Sequence, residues 1–408
     1  MTTQISELVS LPGGLGAVAG VRLAGVRAGI KASAPPDKLD LALIVFDTPQ
    51  VVAAQITTNE IKAAPLLVSA EHLNFNPTGI RAIVANSGCA NACTGDRGLD
   101  DARATASGAG VALGFPPEAV LVASTGVIGV LLPRQKIHQG ITEAAKVLAS
   151  GNEAALRAAR AIMTTDLVPK LAAYRFSHNG REYTVGGIAK GSGMIAPSMA
   201  TMLAFIATDY PLDSEAAQAA LASATADSFN MISVDGDMST NDCVYFAAPA
   251  SENPTVIPAG LLAALQQVCL QLAVAMVRDG EGATKLLTAE VTGAESREQA
   301  RKIARAIVDS NLVRTALHGG DPNWGRIIAA AGSVGAGMVD GAWSLTINDL
   351  PWVEVGSIEI LSEADAHAAI SENQVTVTLD LGLGDAHATA WGCDLSHAYV
   401  DINAHYRT

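Results

Sequence analysis

The chain has 408 residues, enough for two or three domains and a large buried core. Charged residues make up 16% and apolar residues 49%, which excludes a mainly disordered chain. Lys and Arg total 26 against 40 Asp and Glu, a net charge of −14, so neither a nucleic-acid backbone nor an anionic membrane surface is an expected partner.

In chain order, the opening MTTQISELVSLPGG has neither a basic stretch nor a continuous apolar run, so no secretory signal is expected. GGLGAVAG at 13–20 places its third glycine one residue late for a dinucleotide fingerprint, and no clear strand precedes it. Leu39–Phe46 and Arg81–Asn86 read as short strands, the second opening onto a loop rich in Gly, Asn and Cys. The uncharged window Gly191–Thr208 is near membrane-span length. Its Gly191, Ser192, Gly193, Pro197, Ser198 and Thr201 argue against a spanning helix. Asp235, Asp237, Ser239 and Asn241 begin like a calcium loop, but Thr240 and Phe246 occupy the positions that need Gly and Glu. Leu262, Leu265, Val268, Cys269, Leu272 and Met276 mark one helix face, with Arg278 in its last turn and Gly280 as its stop.

The polar joint Gly293–Ser296 is the expected domain boundary, giving domains 1–292 and 293–408. Ser296 with Gln299 predicts a capping box ahead of the stripe Ala300, Ile303 and Ile307. Val375, Val377, Leu379 and Leu381 alternate with polar residues as a half-buried strand. The class is mixed α/β. Five thinly spread cysteines fit a reducing cytoplasm rather than a disulfide framework, and no metal-ligand spacing is present.

The stretch most informative about chemistry is KGSGMIAPSMATML at 190–203. A threonine hydroxyl is a weak nucleophile without a base in reach, and an N-terminal threonine supplies its own base in the α-amine. That amine titrates near 7.7–8.0, suited to moving protons at neutral pH. Thr201 is internal, so this solution requires cutting Ala200–Thr201. Attack by the Thr201 hydroxyl on the preceding carbonyl, followed by ester hydrolysis, would make the cut.

This stretch resembles the self-cleavage signature of the ornithine acetyltransferase, or ArgJ, family. Further blocks resemble that family in its own order. They are Thr57-Thr58-Asn59 with Lys62-Ala63-Ala64-Pro65, NSGCANACTG from Asn86, STGVIG from Ser124 and MTTD from Met163. After the cut come SFNMISVDGDMSTND from Ser228, DGEGATK from Asp279, GGDPNWGRI from Gly319 and CDLSHAYVDINAHYRT at the end.

The resemblance implies an αββα sandwich of the self-cleaving, N-terminal-nucleophile type followed by a smaller α/β domain. It implies an α chain of 1–200 and a β chain of 201–408, assembled as an α2β2 heterotetramer. The implied acyltransferase reaction is ping-pong: the acetyl group passes from N2-acetylornithine to Thr201 and then to glutamate, recycling acetyl groups in arginine biosynthesis. No cofactor is implied, and acetyl-CoA is a second candidate donor. By the same resemblance Thr201 is the nucleophile, and Thr125 and Gly126 form the oxyanion hole. Thr164, Lys190, Thr201, Glu281, Asn403 and Thr408 contact substrate. Thr165 stays open as an alternative to Thr164. A same-fold enzyme of a specialised pathway, resembling those of clavulanic acid synthesis, and a nucleotide-dependent oxidoreductase built on the Gly-rich start are the alternatives.

Overall fold

The computed structural model describes residues 8–196, 202–356 and 358–405. Ala200, Thr201 and Thr408 therefore lie outside the described residues. The class is mixed α/β, as expected. Two compact units are formed: one from 1–191, 201–226 and 238–272, the other from 192–200, 227–237 and 273–408. The division of the long C-terminal stretch at Leu272–Ala273 falls about twenty residues before the Gly293–Ser296 joint.

The first unit holds a nine-stranded sheet. Its strands are β1 (Val9–Ser10), β2 (Val21–Val26), β3 (Leu41–Ile56), β4 (Ile80–Asn86), β5 (Val120–Ser124), β6 (Lys170–His178), β7 (Arg181–Lys190), β8 (Leu203–Thr208) and β9 (Cys243–Pro249). Its helices are α1 (Ala64–Phe75), α2 (Gly95–Leu113), α3 (Arg134–Lys146), α4 (Asn152–Ile162), α5 (Ser214–Ala226) and the start of α6 (Ala259–Arg278). The order is β1-β6-β7-β8-β9-β3-β4-β5, with β2 also on β3.

β3 is longer than its apolar run Leu39–Phe46 predicts, because it serves two layers. Its first half pairs with β2 and β4 and its second half with β9, with a register shift between Val45 and Gln50. The exposed Asp47-Thr48-Pro49 sits at that shift, where proline has no N–H for a ladder. Strand alternation then sorts the core. Ile44, Ala85 and Ala123 join Phe205, Tyr245 and Ala247 in one cluster between the layers. Leu43, Val84 and Val122 face the other way, onto Ala106 of α2 and Ile141 of α3. On the far side, Val268 and Leu272 of α6 come within 3.2 and 3.1 Å of where a Gly187 Cβ would stand. The result is the expected αββα order.

The Gly-rich start is absorbed by packing rather than by a phosphate. Gly14–Ala17 is a single 3-10 turn, and a Cβ on Gly14 would meet Gly187 O at 2.7 Å. That removes the sequence basis for a nucleotide-dependent oxidoreductase.

The second unit carries β10 (Leu286–Ala294), β11 (Ser344–Ile347), β12 (Leu350–Glu354), β13 (Ile358–Glu359), β14 (Gln374–Asp380) and β15 (Ala386–Cys393), in the order β13-β12-β11-β14-β10-β15. The end of α6 is joined by α7 (Arg297–Asp309), α8 (Asn311–Gly319), α9 (Trp324–Ser333), α10 (Glu363–Ile370) and α11 (His397–Ala404). The α7 stripe Ala300, Ile303 and Ile307 buries against β10 and β15. Ser296 caps α7 by accepting from Gln299 N at 3.2 Å, as the capping box predicts. The reciprocal bond shifts by one residue: Gln299 Oε1 accepts from Glu295 N at 2.7 Å. β14 buries Val375, Val377 and Leu379 as their alternation predicts. In α6 the buried face includes Leu261 and Leu265, while Leu262 is only half-buried.

Candidate active site

In the first unit, four loops converge on a buried cation. β7 ends at Lys190, which is 2% exposed, and its Nζ donates to Thr125 Oγ1 at 3.3 Å. Thr125 opens the turn after β5. Its own N–H is committed to Asn86 O at 2.9 Å, so its hydroxyl is the donor it can offer a ligand. Gly126 follows at φ +129°, and a Cβ there would stand 2.5 Å from Gly88 C, so only glycine fits against the NSGCANACTG loop. Asn241 ties the two loops together, its Nδ2 donating to Ala90 O at 2.7 Å and Ser124 O at 2.8 Å.

Asp166, the last residue of MTTD, faces the same cation. It accepts from Lys170 Nζ at 2.7 Å, Gly191 N at 2.7 Å and Thr164 N at 3.0 Å. Burial alone would raise its pKa. The charges of Lys190 and Lys170 and the Lys170 hydrogen bond outweigh burial and bring it down to about 2. Thr164 and Thr165 are both half-buried, so burial does not choose between them.

Asp242, just ahead of β9, is fully buried; Oδ1 accepts from Met202 N, the amide of the link that follows residue 201, at 3.0 Å. Among the described residues its Oδ2 is buried without a partner in hydrogen-bond geometry, although the Ser239 and Thr57 side chains lie near enough to favour its charged form. Burial holds this carboxyl well above the usual range, with the backbone bond from Met202 and the Lys190 charge opposing too weakly to reverse it.

In the second unit a separate cluster forms around Glu281, which is 8% exposed. Its N–H donates to Ser192 O at 2.7 Å, and its carboxylate lies against Gly193, where any Cβ would collide with it. Asn403 of α11 donates from Nδ2 to Glu281 Oε2 at 2.7 Å. One turn earlier, the Tyr399 hydroxyl donates to Asp235 Oδ2 at 3.2 Å. Burial first, and then the Asp235 charge, push the Tyr399 phenol up. Asp235, the first position of the failed calcium loop, accepts from Met194 N at 2.5 Å and Ile195 N at 2.8 Å.

Thus Thr125, Gly126, Lys190 and Thr164 share the first unit, whereas Glu281 and Asn403 pair in the second. Asp166, Lys170, Asp242 and Tyr399 escaped the sequence reading as functional candidates, and Asp235 and Asn241 entered it only as part of a calcium loop that fails. All but Lys170 sit inside motifs already singled out; for Asp166 and Asp242 the missed signal was an acid directly after Thr or Asn in a Ser/Thr-bearing loop, and nothing local marked Tyr399 on α11. Among the described residues, no three His, Cys, Asp or Glu gather to hold a metal ion.

The model of the ArgJ family matches residues 22–408. The arginine biosynthesis bifunctional protein ArgJ of Symbiobacterium thermophilum is 47% identical over 404 residues, covering 98% of this chain and 99% of that protein. Its namesake from Geobacter sulfurreducens is 46% identical over 401 residues, covering 96% and 100%. The solved ornithine acetyltransferase from Mycobacterium tuberculosis, complexed with ornithine, is 43% identical, covering 47% of this chain and 99% of that one at a TM-score of 0.43.

Proposed function

The chain belongs to the ArgJ family, and from that premise we propose that it is a glutamate N-acetyltransferase of arginine biosynthesis, using N2-acetylornithine as acetyl donor. The observation that carries this reading is the family match over 22–408, which takes in the 190–203 stretch and every later block. In this reading, cleavage of Ala200–Thr201 frees Thr201. Its hydroxyl attacks the acetyl carbonyl while its α-amine takes the hydroxyl proton. The carbonyl oxygen becomes negative and is met by the Thr125 hydroxyl and the Gly126 N–H. Collapse breaks the amide bond, ornithine's α-amine leaves with the proton, and the acetyl group stays on Thr201. Glutamate's α-amine then attacks the same carbonyl carbon, and the steps run in reverse to release N-acetylglutamate.

Glu281 suits the cationic side chain of ornithine, and Asn403 holds that carboxylate. Lys190, Thr164 and Thr408 are the remaining substrate contacts. The reaction needs no cofactor. Acetyl-CoA is the proposed second donor, tested by whether it supports N-acetylglutamate formation without acetylornithine. The assembly is read as α2β2, tested by native mass.

Intact mass and N-terminal sequencing test the premise of the mechanism. Two chains, the second starting TMLAF, are expected from the wild type, and one uncut chain from Thr201→Ala. An uncut wild type that still transfers acetyl groups would remove Thr201 from the mechanism.

A further inference from the structure

Two lysines, Lys170 and Lys190, are each 2% exposed, and the Asp166 carboxylate feels the charge of both. Burying cations is costly unless anions or strong acceptors meet them. Asp166 answers Lys170 directly at 2.7 Å and lies close enough to feel Lys190, whose Nζ is directed at Thr125 Oγ1. The same carboxylate pins the N–H of Gly191, the first residue after β7. It thus fixes both the charge of Lys190 and the backbone that carries it.

A hydroxyl that accepts from an ammonium must direct its own hydrogen elsewhere, and that O–H is polarised by the charge behind it. A Thr125 hydroxyl so arranged is a stronger donor to a developing oxyanion than an ordinary one. We propose that Asp166 is a positioning residue for the acyl transfer: it holds Lys190 on the Thr125 hydroxyl, so that this hydroxyl presents its hydrogen to the oxyanion. The inference rests on the reading of Thr125 as an oxyanion donor. It changes the work of Lys190, which acts on the transition state through Thr125.

The test compares steady-state acetyl transfer from N2-acetylornithine to glutamate by wild type, Asp166→Asn, Lys190→Met and the double variant, each first shown to be cleaved. Asp166→Asn is expected to lower kcat about 10- to 100-fold, less than the roughly 100- to 1,000-fold cost of removing an oxyanion donor outright, because the Thr125 hydroxyl is weakened and not lost. KM for either substrate should change less than about threefold. The alkaline limb of the kcat profile should move to lower pH, because the Asp166 charge no longer favours protonated Lys190, while Lys170 still opposes it and the buried Asp242 carboxyl is unchanged. Asp166→Glu should restore the limb. In the Lys190→Met background the Asp166 substitution should cost less than about twofold.

An equal loss in both backgrounds, an unmoved alkaline limb, or a loss confined to KM would each overturn the proposal. Should Asp166→Asn not fold, Asp166→Asn with Lys170→Met removes one charge of each sign and is read by its loss of kcat and by its coupling to Lys190→Met, not by the alkaline limb. Failure of both to fold would assign Asp166 to the fold alone and overturn it too. A wild type that neither cleaves nor transfers acetyl groups would instead remove the underlying function.

Discussion

At the scale of single residues, Asp166 sets an acid limit on the fold. Its folded pKa lies below the ordinary carboxylate value, so its contribution is present above about pH 4 and is lost as pH falls toward about 2. A depression of that size corresponds to about 2 kcal/mol. Denaturant midpoints measured from pH 5 to pH 2 should therefore fall more steeply in the wild type than in Asp166→Asn. Parallel slopes would place the acid sensitivity elsewhere. Gly126 is the other sharp case. Its positive φ and the contact with Gly88 leave no room for a methyl group. Gly126→Ala should lower kcat by about 100-fold or more while KM changes little, because a donor is displaced from the oxyanion. A purely higher KM would show that the turn binds substrate in its ground state.

At the scale of elements, local signals were legible wherever a single neighbour decides the outcome. The Ser296 cap, the α7 stripe and the alternation of β14 each follow from contacts within a few residues or with one buried face. Ser296→Ala should cost about 1 kcal/mol. That loss is readable by tryptophan fluorescence in denaturant, since all four tryptophans, Trp324, Trp343, Trp352 and Trp391, belong to the second unit. An unchanged midpoint would mean the Glu295–Gln299 bond alone holds the helix start. β3 was legible only in its first half, because its second half is less apolar and owes its form to β9. The site was legible through motif strings and not through charge. Nothing local says that Lys190 and Lys170 are both buried, or that Asp166 answers them. Those facts arise from four loops meeting, two of them more than forty residues from the others.

At the scale of the whole molecule, the chain leaves the second unit's core incomplete if cut at the obvious place. Met231 packs in that core, Asp227 pairs with Arg301, and Ser233 donates to Asp309. A fragment 227–408 should therefore melt cooperatively at a higher temperature than 273–408, measured by tryptophan fluorescence; equal melts would show that the 227–237 segment adds nothing. The nine-stranded sheet has its own consequence. β7 and β8 are antiparallel neighbours over six residue pairs, from Val185–Thr208 to Lys190–Leu203, and β8 is followed by β9 before the sheet returns to β3. In a chain divided at Ala200–Thr201, the downstream piece would supply β8 and β9, and the upstream piece every other strand of that sheet. The two pieces would be dovetailed: one piece's pair of strands is inserted between strands of the other, so the scission would open no new sheet edge. Such a protein should run as two bands when denatured and never exchange its halves when native, and 1–200 made alone should aggregate through the two edges left bare on β7 and β3.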